Sequence, residues 1–567
     1  MPRHLTPLAC ALWISAGCSV PPGGCADDDG CASRAGGACR GEICFYPAPE
    51  CESGWSLESG ACSPSGSLDA GTDPRDAAFD ATTGEPDAGE RDAGPPPPLK
   101  AFPTAFGGGA EASGGRGGVL VIVNDPDPQA PLTHHPATAA TPERYEGGLY
   151  AALLLDRPAY VVFDRSMNIR LGVGGTSGDF RYDGIPGVRD KTIFGQSAPR
   201  GGVTITGGTL RFDGRTSETS NLIIQHIRSR PILNRDGNRS TEDDSYTWGM
   251  LFYGGRDIIV DHCSFSFAQD KALGAFIDQN VVPEHDLRRL TFSRNMISDS
   301  HTGTYVEINP GRPEDPEEDV DQISFLANMQ LGINRSPNVA FDGFSEILNC
   351  VVYGDHYKSS TIYHDLRLNH VGNYYLRPGG GSSGFNRVFD HDSSSPRIFS
   401  RGNFWGGLLE GRDGEDNQQI WKYRDAYGEA ISIEYFVDTP FDGGIAHAYT
   451  PMAAVDAWES IVTDGDIGAH RYLDDEGQPA TYRDPYDTSQ LEAARAGERL
   501  DTHDVASWVL PEIPMTVRPA DYDTDLDGMA DAWERRTFGD LSQSYDGDHD
   551  GDGYTNIEEL MFQVAAR

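Results

Sequence analysis

The sequence predicts an all-β protein whose middle third winds into a parallel β-helix, a single-chain solenoid. Three observations predict it. Asp257–Phe267, DIIVDHCSFSF, reads as a strand, a sharp bend and a second short strand, with Ile258 and Val260 alternating with Ile259 and Asp261, the period of a half-buried strand. The spacing of five between Ile258 and Cys263 then recurs: Leu290 and Asn295, Ile323 and Asn328, Phe344 and Asn349, Leu368 and Asn373, Ile398 and Asn403. Before residue 405 helical periodicity is scarce, while the chain carries 67 Gly and 37 Pro. A repeat of short strands with no helix between them stacks as a coil. Steps of 32, 33, 21, 24 and 30 residues mean turns that differ in loop length.

In such a coil each bend Asn stacks on the Asn of the next turn, and the amides hydrogen-bond along the stack. Cys263 takes the ladder position. Cys350 follows Asn349 by one and so is expected to face the other way, leaving the two thiols unbonded.

The 567-residue chain opens with Arg3, His4 and the apolar run LACALWISAG before Cys18. This reads as a signal peptide, too short for a membrane span. Ala16-Gly17-Cys18 resembles a lipoprotein cleavage site, so residues 1–18 are expected to be removed, with Cys18 as a possible lipid anchor and the only membrane contact. Residues 19–63 hold Cys25, Cys31, Cys39, Cys44, Cys51 and Cys62, which imply a small disulfide-rich knob in an oxidising compartment. Residues 64–100, rich in Asp, Ala, Gly and Pro, cannot bury a core and read as an extended stalk. The formal net charge of −42 excludes nucleic acid as a partner. A polyanionic substrate then needs cations, or local Arg and Lys, in its cleft.

The globular part begins at Ala101. Val119–Val123, Tyr160–Phe163 and Lys191–Phe194 read as strands. Five segments in order, AFPTAFGGGAEASGGRGG, DKTIFGQSAPRGGVTITGG, NLIIQHIRSRP, DIIVDHCSFSF and NRSP, resemble the landmarks of pectate lyase family one, the pectate lyase C type. The resemblance covers residues 101–405 and continues more weakly to about Gly497. It implies a right-handed parallel β-helix, an acidic polysaccharide substrate such as pectate or pectin, β-elimination and Ca²⁺. It also implies a catalytic base, the Arg of an R-x-P motif, which here is Arg335.

Around the implied cleft the chain departs from the family. The acidic position before DHCSFSF falls on Trp248, with Tyr246 upstream. Of two acids four apart only Asp270 remains, because the second is Gly274. Asp243 and Asp244 lie nearby, Asn338 replaces a family Arg, and Leu326-Ala327 replaces a family His pair. Asp270 is expected to be the metal ligand of the cleft. Lys271, Arg228, Arg230 and His301 are expected to bind substrate; the two arginines alternate on one strand, about 7 Å apart on one face. Lys271, Trp248 and the arginines also fit a Ca²⁺-independent mode, as in pectin lyases. His262 belongs to the bend and its packing. A non-catalytic polysaccharide-binding protein is the alternative.

After Trp405 the pattern changes. Met452–Val462 and Tyr482–Gly497 show helical spacing, and residues 406–518 are expected to wrap the coil and cover an open edge. Residues 519–567 form a short helical tail with two calcium loops. Asp523, Asp525, Asp527, Asp531 and Glu534 match the EF-hand positions, with Gly528 at the sixth; Asp548, Asp550, Asp552, Asn556 and Glu559 repeat the pattern around Gly553. Both resemble the calcium repeats of dockerin and thrombospondin type-three modules. The whole reads as a secreted, monomeric polysaccharide lyase.

Overall fold

The computed structural model describes residues 38–40, 43–47, 55–57 and 98–565, apart from 172–183, 232–247, 279, 282–284, 309–319, 334–335, 355–358, 379–385, 390–394, 407–417, 424–430 and 501–506. The leader, the cysteine pairing and the stalk lie outside the described residues. The first compact unit, Met1–Gly94, contains three short antiparallel strands, Ala38–Arg40, Ile43–Pro47 and Trp55–Leu57.

The second unit, Pro95–Arg567, is the predicted coil. Three sheets run along it, the first of twelve strands and the others of nine each. One turn runs through Gly255–Asp261 of the first sheet, Ser264–Ser266 of the second and Lys271–Ile277 of the third, then returns to the first at Leu287–Ser293. Each strand pairs in parallel with its counterpart one turn on. The coil is a right-handed parallel β-helix, the hand that crossovers between parallel strands take. It continues past Trp405 to a last rung at Trp421–Tyr423.

Inside, Ile258, Leu290, Ile323, Leu368 and Ile398 are fully buried in one column. The bend ladder exists with one correction. Asn295 Nδ2 donates to Asn328 Oδ1 at 3.1 Å, and Asn373 Nδ2 to Asn403 Oδ1 at 2.8 Å. Between these pairs the rung is Cys350, not Asn349: Cys350 N donates to Asn373 Oδ1 at 2.8 Å, and Asn328 Nδ2 lies 4.0 Å from its sulfur. The register explains the slip, because Ile323 pairs with Ser345 rather than Phe344. Ser345 tolerates the column by donating its hydroxyl to Ile323 O at 2.9 Å. Asn349, at φ 53°, turns outward to Gly372 O and Met452 O. Cys263 and Cys350 therefore face the same way, and both are free thiols several turns apart.

Among the described residues, hydrophobic clusters cover the outer faces of the first and second sheets. On the second sheet, Met296, Met329, Val351 and Tyr353 pack under Ile461, Val462, Leu491 and Ala494. These belong to the helical stretch 454–463 and the helix Pro485–Arg495. The wrapping segment thus covers a sheet face, a correction to the open edge expected for it: its apolar residues match that face. On the first sheet, Gly108 N and Gly109 N donate to Ser324 Oγ and Thr291 Oγ1, and a Cβ on Gly109 would meet Ile258 O at 2.1 Å. Further along, Leu120, Ile122, Tyr160 and Phe194 pack under Met529, Trp533, Ile557 and Phe562 of the tail. Among the described residues, neither cluster includes a residue of the third sheet.

Beside Ser324, Glu346 accepts the serine hydroxyl at 2.7 Å and is 5% exposed. Burial pushes its carboxyl up to about 7, against the hydrogen bond from Ser324. A raised carboxyl means the folded chain binds a proton that the unfolded chain releases, so stability falls as pH rises. Denaturant titrations between pH 4.5 and 7 should show a loss of about 3 kcal/mol from this group, removed in Glu346→Gln. An unchanged pH slope in that variant would refute the assignment.

Candidate functional site

The third sheet keeps an outer face of unusual chemistry. Along Trp248–Tyr253, Lys271–Ile277 and Thr302–Ile308, the residues Met250, Phe252, Leu273, Ala275 and Val306 turn into the core. The alternation puts Leu251, Gly274, Phe276, Tyr305 and Glu307 on the other face. Asp270, His301 and Ser336 stand at the entries to three neighbouring strands: Thr302 N donates to Asp270 O at 2.8 Å, and Thr304 N to Ser336 Oγ at 2.6 Å. His301 N donates to Ala268 O at 3.2 Å, and its Nδ1 lies 3.3 Å from Thr302 Oγ1. The structure thus brings Asp270, Lys271 and His301 to one edge of one sheet. Arg335 lies outside the described residues, as do Asp243, Asp244 and Tyr246.

Lys271 is the centre of this edge. Its Nζ is 2.6 Å from each oxygen of Asp270, 4.8 Å from the Trp248 ring centroid and 4.7 Å from that of Tyr305. The two rings meet edge to face at 84°. An ammonium so placed gains from both ring faces. Tyr305 donates its hydroxyl to Glu307, whose carboxyl is raised by burial against the pull of Tyr305 and Lys271. Sequence reasoning missed Tyr305 and Glu307, although the alternation in TYVEI was a sufficient signal.

Among the described residues, this geometry does not fit the cleft calcium that the resemblance implied. Calcium seeks six to eight oxygen ligands, but both Asp270 oxygens already face the Lys271 ammonium. Gly274 offers no ligand and has no room for one: a Cβ there would meet Tyr305 O at 2.0 Å and Trp248 Cζ3 at 2.9 Å. An indole and an ammonium hold the ground where acids were expected.

Arg228 and Arg230 are corrected outright. They are 2% and 0% exposed and lie beneath the helix Pro485–Arg495. Arg230 Nη2 donates to Asp487 Oδ1 at 2.7 Å and to Asp484 Oδ2 at 3.0 Å. Arg228 Nε donates to Thr204 Oγ1 at 3.1 Å and lies 3.6 Å from Asp484. They do share a face, as read from the strand, but it is the covered face of the second sheet. His262 is at its bend, with Nδ1 2.7 Å from Asp261 and Nε2 3.2 Å from Asp466.

The tail loops differ from each other. In the first, ligand atoms of Asp525, Asp527 and Glu534 converge within 4.8 Å, as do those of Asp523, Asp525 and Asp531. Asp523 accepts Gly528 N at 2.8 Å, which fixes the turn at the sixth position. Asp531 is occupied by Thr524 N, Thr524 Oγ1 and Arg535, so it braces the loop. In the second loop Asp548, Asp550 and Asp552 converge but are exposed. Asn556 is turned inward, accepting His549 N and donating to Ser544 O. Burial and the neighbouring acids Asp550, Asp552 and Asp548 push Glu559 up to about 7.

No family model matches the chain. A probable pectate lyase C of Aspergillus oryzae is 24% identical over 476 residues, spanning 81% of this chain and 93% of the relative. The chain is similar to pectate lyases. A probable pectate lyase 22 of Arabidopsis thaliana is 25% identical over 295 residues, 49% of this chain and 58% of that protein. Among solved structures, the cedar pollen allergen jun a 1 covers 64% of this chain and 92% of its own at 14% identity and a TM-score of 0.43. The thermostable pectate lyase PL 47 covers 65% and 97%, also at 14% and 0.43.

Proposed function

We propose that this protein is an extracellular polysaccharide lyase that cleaves pectin-like uronic polymers by β-elimination at the outer face of the third sheet, beside Lys271, with no calcium ion there. Similarity to pectate lyases across four fifths of the chain carries the reading. A base removes the C5 proton beside the uronate carboxylate. The C5 electron pair forms the C4–C5 double bond as the C4–O bond breaks, and the glycosidic oxygen leaves and is protonated. The C5 proton becomes acidic enough only if the adjacent carboxylate is neutralised. Lys271 is the cation placed for that task, with Trp248 and Tyr305 as walls for a sugar ring. Arg335 is the proposed base and His301 a substrate contact.

A second reading, a binding protein without catalysis, is favoured by one observation: Asp270 holds Lys271 on both oxygens. Ultraviolet absorbance separates the two. On polygalacturonate or methylated pectin the lyase reading expects unsaturated product that continues to form in chelator. Retained polymer binding without product on either supports the binding protein and ends the lyase reading.

A further inference from the structure

The first tail loop has a feature that hydrogen bonding leaves unresolved. Glu534 is fully buried, yet neither of its carboxylate oxygens has a partner; Asp527, 3% exposed, has an unpartnered Oδ2, and Asp525 an unpartnered Oδ1. Four oxygens from three acids therefore converge with no donor. Buried polar groups are normally satisfied, and a buried carboxylate needs hydrogen-bond donors or a cation. No Lys or Arg fills this position: Arg535, the nearest base in the chain, is spent on Asp531 at 2.7 Å.

The positions between the acids point the other way. A Cβ on Gly528 would meet Leu120 Cδ1 at 2.9 Å, and Met529, Ala530 and Trp533 share one buried cluster with Leu120, Ile122, Tyr160 and Phe194. One face of the loop thus gathers carboxylates while the other packs on the first sheet of the β-helix. A cleft of about 290 Å³, lined by Asp523, Leu526 and Gly528 together with Ile122 and Val162 of the sheet, lies beside the loop.

We propose that loop 523–534 binds one calcium ion through Asp523, Asp525, Asp527, Glu534 and the Met529 carbonyl, and that this ion fastens the tail to the first sheet of the β-helix. Oxygen-only donors of this number suit calcium better than a transition metal. Without the ion, the carboxylates repel one another at a packed interface, and the same residues that bury Leu120 and Tyr160 lose their geometry. The ion is structural, and its role stands whether or not the third-sheet face cleaves polysaccharide. The second loop lacks these features, since its three converging carboxylates are exposed to water.

The test uses the full chain, stripped with chelator and titrated with calcium alone by calorimetry and thermal melting. Wild type should bind one tight ion and melt at least about 5 °C higher in millimolar calcium than in chelator. Glu534→Gln should weaken that ion at least ten-fold and flatten the melting response, whereas Asp550→Asn reports the second loop separately and should retain the tight ion. Amide exchange on wild type, which needs no variant to fold, should show Asp531–Thr537 and Leu120–Ile122 losing protection together in chelator. Equal melting temperatures with and without calcium, or a Glu534→Gln isotherm matching wild type, overturns the proposal.

Discussion

Asp487→Ala should cost about 3–5 kcal/mol of stability, the range for removing one partner of a buried ion pair. Asp487 Oδ1 receives Arg230 at 2.7 Å where both side chains are essentially inaccessible. After truncation Asp484 is the one carboxylate left to Arg230 among the described residues; it already serves Arg228 and also caps the helix Pro485–Arg495 by accepting Asp487 N at 2.8 Å. The alanine therefore leaves a buried charge short of a counterion at the seam that joins the wrapping segment to the second sheet. Replacing both partners by apolar residues, Arg230→Met with Asp487→Leu, should recover much of the loss, because the cost lies in the orphaned charge. Denaturant melts of the two single variants and the double variant measure this directly. Below its melting range the double variant should keep the wild-type KM for polymer. A large rise in KM would restore Arg230 to the substrate site from which its burial removes it.

Lys271→Ala should lower kcat/KM on de-esterified polymer by about 10²–10³-fold, the loss typical of deleting one preorganised group that stabilises developing negative charge. The same change removes the Lys271 ammonium from both Asp270 oxygens. Residual activity should then respond to added calcium, whereas wild-type activity should not. Methyl-esterified substrate, with less charge to neutralise, should lose less. Steady-state rates of product absorbance on the two substrates, each with calcium or chelator, separate these effects. A Lys271→Ala enzyme as fast as wild type would remove the ammonium from the chemistry.

The solenoid was legible because its signals are local and repeated. A bend Asn five residues after a buried aliphatic needs no knowledge of distant chain. The same rule slipped at Asn349, since Phe344 satisfied the offset while the sheet register placed Ser345 in the column. A one-residue shift reverses every side chain, so the inferred direction of Cys350 reversed with it. Strand alternation placed Arg228 and Arg230 together correctly but said nothing about what lies above them. Their cover arrives from residues more than 250 positions later, and no local pattern announces it. In the cleft, the motif positions located Asp270 and Lys271, but their mutual ion pair and the Trp248 ring filling the space over Gly274 are tertiary facts. Spacing located the acids that converge in the tail loops, but not the bracing hydrogen bonds of Asp531 and Asn556, because a carboxylate or amide at the ninth position can serve an ion or the loop.

A crystal structure of the Arg335→Ala variant with trigalacturonate tests the central claim most directly, since a stalled substrate reports its own site. A uronate carboxylate within hydrogen-bonding distance of Lys271 Nζ, with a sugar ring against Trp248 or Tyr305, is the predicted result. Saccharide seated away from the third sheet, or a calcium ion bridging it to Asp270 in place of Lys271, would contradict it.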